Sequence, residues 1–180
     1  VWGLPKEKGI SNLNQFVDRY GDWIKTQEID KLKNTETQWK DVGNQLIGQQ
    51  KKNYNRLKQN INLLNDDKVF KAFQIANTAM FIQLIISNHK DFGKDEKDII
   101  EISQDTDFRS LEFFKKYDSN KRDFIPRYRP FQLAFFLLSI DGIVDINSKS
   151  RKEIVDLIWF PTGGGKTEAY LVVTAFTIAY

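Results

Sequence analysis

Apolar positions recur every three or four residues through most of the first half of the chain, and the period shortens to that of a strand only near the end. Ser11 is read as the N-cap of a first helix whose Phe16, Tyr20, Trp23 and Ile24 share one face, and that face is expected to be buried. A second helix is expected from about Thr35 to Leu64, with a stripe of Trp39, Leu46, Tyr54, Leu57, Ile61 and Leu64, weakened in its first half by Gly43 and Gly48. A third, from about Asp67 to Asn88, carries Val69, Phe70, Phe73, Ile75, Ala76, Met80, Phe81, Leu84 and Ile85 nearly all round, the pattern of a buried helix at the centre of a bundle.

From Lys90 to Asp107 charged residues displace the large apolar ones, as in a loop or boundary. A short amphipathic helix is expected from Phe108 to Tyr117 and a domain boundary near Asp118 to Asp123. Each proline of Ile125-Pro126-Arg127-Tyr128-Arg129-Pro130 disfavours helix in the residue before it, so this piece is expected to be extended. Pro130 suits a first helical position, and the helix it opens should stop near Gly142. Glu153 to Phe160 reads as a β-rich apolar run, followed by Pro161-Thr162-Gly163-Gly164-Gly165-Lys166-Thr167 and then by a helix through Ala169, Leu171, Val172, Ala175 and Ile178. The expected architecture is an α-helical domain over residues 1–120, followed over 121–180 by the start of a RecA-like α/β P-loop domain.

Strand, glycine loop and helix in that order form the setting of a phosphate site. Backbone N–H groups at a helix start, aided by the helix dipole, hold anionic oxygens. Gly163, Gly164 and Gly165 supply the backbone freedom, with Pro161 and Thr162 leading in. Lys166 is the catalytic candidate, reaching the β- and γ-phosphates of ATP, and the Thr167 hydroxyl is the candidate Mg²⁺ ligand. The first glycine of the strict pattern G-x-x-x-x-G-K-[ST] falls on Phe160, so that form is not met. Upstream, Arg129 and Gln132 are candidates for adenine recognition, because one amide donates and accepts at once and can pair with adenine N6 and N7.

Composition narrows the classes. The 180 residues carry a formal net charge of +3 and 41% hydrophobic residues, enough for a core and permissive of nucleic-acid contact without demanding it. There is no cysteine, and His89 is the single histidine, so thiolate metal sites and disulfides are excluded. No secretory signal or membrane span is visible, and a cytoplasmic location is expected. The crowding of Lys51, Lys52, Arg56 and Lys58 is read as a solvated helix face, and Asp66-Asp67 and Asp95-Glu96 as surface carboxylates, since the acid of a P-loop enzyme should follow the loop.

The heptapeptide Pro161-Thr162-Gly163-Gly164-Gly165-Lys166-Thr167 resembles motif I of superfamily 2 helicases, and Arg129-Pro130-Phe131-Gln132 resembles the R-P-x-Q element with which many of them recognise adenine. The longer stretch from Tyr128 to Tyr180 resembles the large helicase subunit of DISARM phage-defence systems; Phe73-Gln74-Ile75-Ala76-Asn77-Thr78-Ala79-Met80 is a looser likeness. The resemblance implies an ATP-dependent DNA translocase that restricts foreign DNA with partner subunits. A second acidic motif and an arginine finger, which hydrolysis requires, are not assignable here, so the chain alone is expected not to turn over ATP. Two other readings stand beside it: a P-loop ATPase subunit that does not unwind, and a helical module that binds protein or DNA.

Overall fold

A computed structural model describes residues 5–88, 127–159, 161 and 163–180, and among them it is helical. Six α-helices appear in order: α1 (Lys6–Thr26), α2 (Lys40–Leu63), α3 (Asp67–Asn88), α4 (Pro130–Val144), α5 (Lys149–Glu153) and α6 (Lys166–Ala179). A wide π-helical turn, Gln27–Lys31, and two tight 3-10 turns, Leu32–Asn34 and Thr37–Trp39, join α1 to α2.

The helices start where local chemistry permits. Pro130 at the first turn of α4 loses no intrahelical bond and presets φ. At α3 the Asp66 carboxylate accepts from the backbone N–H groups of Lys68 (2.9 Å) and Val69 (3.1 Å), satisfying donors that the helix itself cannot. Helices α1 and α2 form an antiparallel hairpin tied by Lys58 to Asp18 (2.8 Å) and Lys51 to Glu28 (2.7 Å). Gly21 is required there: a Cβ would lie 2.7 Å from the Tyr54 ring.

One core unites the helices. Leu13 and Val17 of α1 meet Leu57 and Ile61 of α2, the inward face of α3, and Phe136, Leu137 and Ile140 of α4 with Val172 and Phe176 of α6. Its spine is aromatic. Phe73 stacks on Phe136 at 5.1 Å, Phe136 meets Phe176 edge to face at 5.5 Å, and Phe176 stacks on Tyr180 at 6.1 Å, with Lys68 over the Tyr180 ring. Residues from both sides of the expected domain boundary therefore share this core; the boundary itself, the expected loop at Lys90 to Asp107, the helix at Phe108 to Tyr117 and His89 lie outside the described residues.

Several expectations are corrected. Helix α1 begins at Lys6, before Ser11, and the line it buries is Gly9, Leu13, Val17 and Ile24. Of the expected face Ile24 is buried, whereas Phe16 and Tyr20 flank the buried line half-buried and Trp23 is exposed, because the stripe that α1 hides is narrow and the aromatic positions sit one strip over. Trp39 and Leu46 are likewise exposed, since the first half of α2 extends past the packed bundle. Helix α3 spans the expected residues, although Ile75 is turned outward. Helix α4 runs through Gly142 to Val144.

The strand expected over Glu153 to Phe160 is not formed among the described residues. Glu153 closes α5, Ile154 is extended, and residues 154–159 have no partner strand among the described residues. An apolar β run becomes a strand only when another strand supplies its ladder, and no described segment does so. The helical part of the expected architecture is thus present, while no RecA-like α/β beginning is visible in the described residues. No described helix is long and apolar enough to cross a membrane.

Candidate phosphate-binding site

Helix α6 opens from a loop whose backbone shape depends on glycine. Gly163 has φ +77° and Gly165, at the N-cap of α6, has φ +86°, and these are the positive-φ positions among the described residues. The Pro161 carbonyl accepts from the Gly164 N–H at 3.0 Å, closing a turn, and accepts again from Lys166 Nζ at 3.2 Å. The lysine therefore folds back over its own loop, with its ammonium at the mouth of the helix N-terminus. The first N–H groups of any helix have no partner within it, so loop amides, helix dipole and ammonium converge on one electropositive place.

The upstream element is brought directly onto this loop. Arg129 donates from its guanidinium to the Gly164 carbonyl at 2.8 Å. Gln132, one turn into α4 and buried, accepts from the Arg129 backbone N–H at 2.8 Å through Oε1 and donates to the Gly165 carbonyl at 2.7 Å through Nε2. Thirty-four residues separate Gln132 from Lys166 in sequence (166 minus 132), yet the two belong to one hydrogen-bonded unit. As placed, the Gln132 amide faces the loop backbone. Burial pushes the neighbouring Tyr128 phenol well above its ordinary range, which keeps it neutral beside the site.

Of the other candidates, Thr167 stands on the exposed first turn of α6 and Thr162 lies outside the described residues. Glu168, read as a carboxylate suited to the helix dipole, is tucked under the loop, with Oε2 enclosed and without a hydrogen-bond partner among the described residues. No group of three or more His, Asp or Glu side chains able to hold a metal occurs among the described residues.

The packing makes Gly165→Ala informative. An added Cβ would lie 2.6 Å from Gln132 Nε2, and the backbone would remain in a left-handed conformation costing about 1–2 kcal/mol for a side-chain-bearing residue. Gln132 can rotate away only by giving up its bond to Gly165. Gly165→Ala is therefore expected to lower the thermal midpoint by several degrees, whereas at Gly48, where an added Cβ meets nothing and the helix gains propensity, alanine should leave the midpoint unchanged or raise it. Differential scanning fluorimetry of the two variants checks this.

Sequence reasoning missed the arrangement one layer out. Three of the cations read as a solvated face have carboxylate partners: Lys51 with Glu28, Lys58 with Asp18, and Arg56 with Asp156, the last in a fork of two 2.9 Å bonds. A pair separated by 100 positions leaves no trace in local spacing. Beside it, Lys52, Asn53, Phe135 and Trp159 line an open groove between α2, α4 and the extended segment.

No family model matches the chain. Its sequence is 37% identical over 174 residues to DISARM protein DrmA of Bacillus paralicheniformis, a match that takes in 95% of this chain. The chain spans 13% of the length of that curated relative. The sequence of this chain thus resembles one portion of DISARM protein DrmA.

Proposed function

We propose that this chain binds ATP through the loop at Pro161 to Thr167 and belongs to an ATP-driven DNA helicase or translocase of phage defence. The single observation that carries the ATP reading is the glycine loop at the N-terminus of α6, with two positive-φ glycines and Lys166 folded across its mouth. That shape suits a polyphosphate: small residues where the backbone must come close, amides at a helix start, and a cation beside them. Likeness to DrmA supports the defence role and makes partner subunits of a multi-component system plausible.

In this reading Gly163 to Gly165 present backbone amides to phosphate oxygens, Lys166 neutralises their charge and the Thr167 hydroxyl holds Mg²⁺. Bound ATP supplies the phosphoanhydride whose cleavage drives a motor. Arg129 and Gln132 hold the loop and read adenine when the amide turns from Gly165 to the base. In the same reading residues 154–159 supply the first strand of a RecA-like sheet once a partner strand pairs with them. Their side chains support this: Val155, Leu157 and Trp159 are 92%, 83% and 87% exposed, large apolar groups left without the packing layer that a sheet in an α/β domain would have.

One substitution and one turnover assay test this reading. Gln132→Ala should reduce the preference of the full-length protein for ATP over GTP by about tenfold, since a bidentate amide contact discriminates bases by about 1–3 kcal/mol. An unchanged affinity ratio in competition binding assigns Gln132 to the loop alone. DNA-stimulated turnover by the full-length protein separates a translocase from a P-loop ATPase that does not move on DNA.

A further inference from the structure

We infer that Arg56 is a positioning residue for the phosphate loop, through which α2 sets the path of the segment that runs into it. The inference rests on the ATP reading above, and its physical basis is a side-chain fork. Arg56 Nη1 and Nη2 donate to the two carboxylate oxygens of Asp156 at 2.9 Å each, and Nη2 also reaches the Leu138 carbonyl at 3.4 Å. The two side chains are only 15% and 27% exposed, so the pair is shielded from competing water. A planar guanidinium on a carboxylate fixes direction as well as distance, which a lysine at the same place would not.

The location gives the pair its consequence. Among the described residues the segment 154–159 has no strand beside it, and Val155, Leu157 and Trp159 are exposed. Asp156 is thus its polar tether to α2, five residues ahead of Pro161 (161 minus 156). One turn farther along α2, the Asn60 amide donates to the Leu137 carbonyl at 2.8 Å and to Asp141 at 3.2 Å, and Asp141 in turn accepts from Ser148 at 3.1 Å. Helix α2 therefore grips α4 as well, whose first turn carries Arg129 and Gln132 onto Gly164 and Gly165. The loop is held from in front through Asp156 and from the side through α4, and both holds lead back to α2. Anything that moves α2 relative to the core shifts both, and by linkage a nucleotide that prefers the held loop resists that shift.

The experiment uses the full-length protein with Arg56→Ala, Arg56→Lys, Asp156→Asn and the exchanged pair Arg56→Asp with Asp156→Arg. Three quantities are read: affinity for ATP with Mg²⁺, amide hydrogen exchange over 155–165, and thermal midpoint. Arg56→Ala and Asp156→Asn are expected to weaken ATP binding about tenfold and to speed exchange over 155–165, with exchange in the Phe73 and Phe136 core unchanged. Arg56→Lys should recover part of the affinity, and the exchanged pair more of it. Should Arg56→Ala fail to fold, Asp156→Asn, which keeps the side-chain shape, decides. Folded variants with unchanged affinity and unchanged exchange over 155–165 overturn the inference. If the parent does not bind ATP, the nucleotide reading fails by itself, and the exchange data still decide whether Arg56 holds the segment.

Discussion

Phe136→Ala is expected to destabilise the fold by about 3–5 kcal/mol, the range for emptying a buried aromatic position. Phe136 is fully buried and lies between Phe73 of α3 and Phe176 of α6, so its removal opens a cavity where three helices meet and no neighbour can collapse from one side alone. It also cuts two of the three ring contacts of the aromatic spine, those to Phe73 and Phe176, each adding about 0.5–1.5 kcal/mol beyond area burial. Because α4 carries Arg129 and Gln132 and α6 opens from the loop, the loss should loosen the phosphate site as well. The check is the midpoint of denaturant unfolding, compared with Ile178→Ala at a position 81% exposed, which should stay within about 0.5 kcal/mol of the parent. Similar midpoints for the two variants would show that the aromatic spine does not hold the bundle.

Lys166→Ala in the full-length protein is expected to lower ATP turnover by about a hundredfold to a thousandfold, the scale seen when one donor aimed at developing charge is deleted. The side chain is half-buried and bonds the Pro161 carbonyl; the thermal midpoint is read alongside, so that lost turnover is told apart from lost fold. Lys166→Arg keeps the charge but carries a broader planar head into a space shaped by Gly163 and Gly165, and should recover only part of the rate. Steady-state turnover at saturating and at low ATP separates lost affinity from a lost chemical step. Turnover equal to that of the parent would remove Lys166 from the site.

The helices were legible because their signals are local. The apolar density of α3 and the proline that opens α4 gave those helices nearly their observed spans. The choice of buried face in α1 was harder: Ile24 is buried as expected, but Phe16, Tyr20 and Trp23 satisfy a helical spacing as well as Leu13 and Val17 do, and only the partner helices select between adjacent strips. The glycine loop was readable from seven residues, since positive φ at Gly163 and Gly165 is what glycine permits. That Arg129 and Gln132 would bond the loop backbone itself could not be read from spacing, nor could Arg56 with Asp156, because both depend on where α2 and α4 meet in space. The expected strand shows the opposite failure. Ile154 to Trp159 has the composition of a strand, but composition does not provide the neighbouring backbone that makes one.

The central claim is that the loop from Pro161 to Thr167 holds the phosphates of ATP, and amide hydrogen exchange of the full-length protein with and without ATP and Mg²⁺ tests it most directly. The account predicts slowed exchange confined to 161–169 and to the first turn of α4 at Arg129–Gln132, absent in Lys166→Ala. Protection elsewhere with none at the loop, or the same protection in Lys166→Ala, would contradict it.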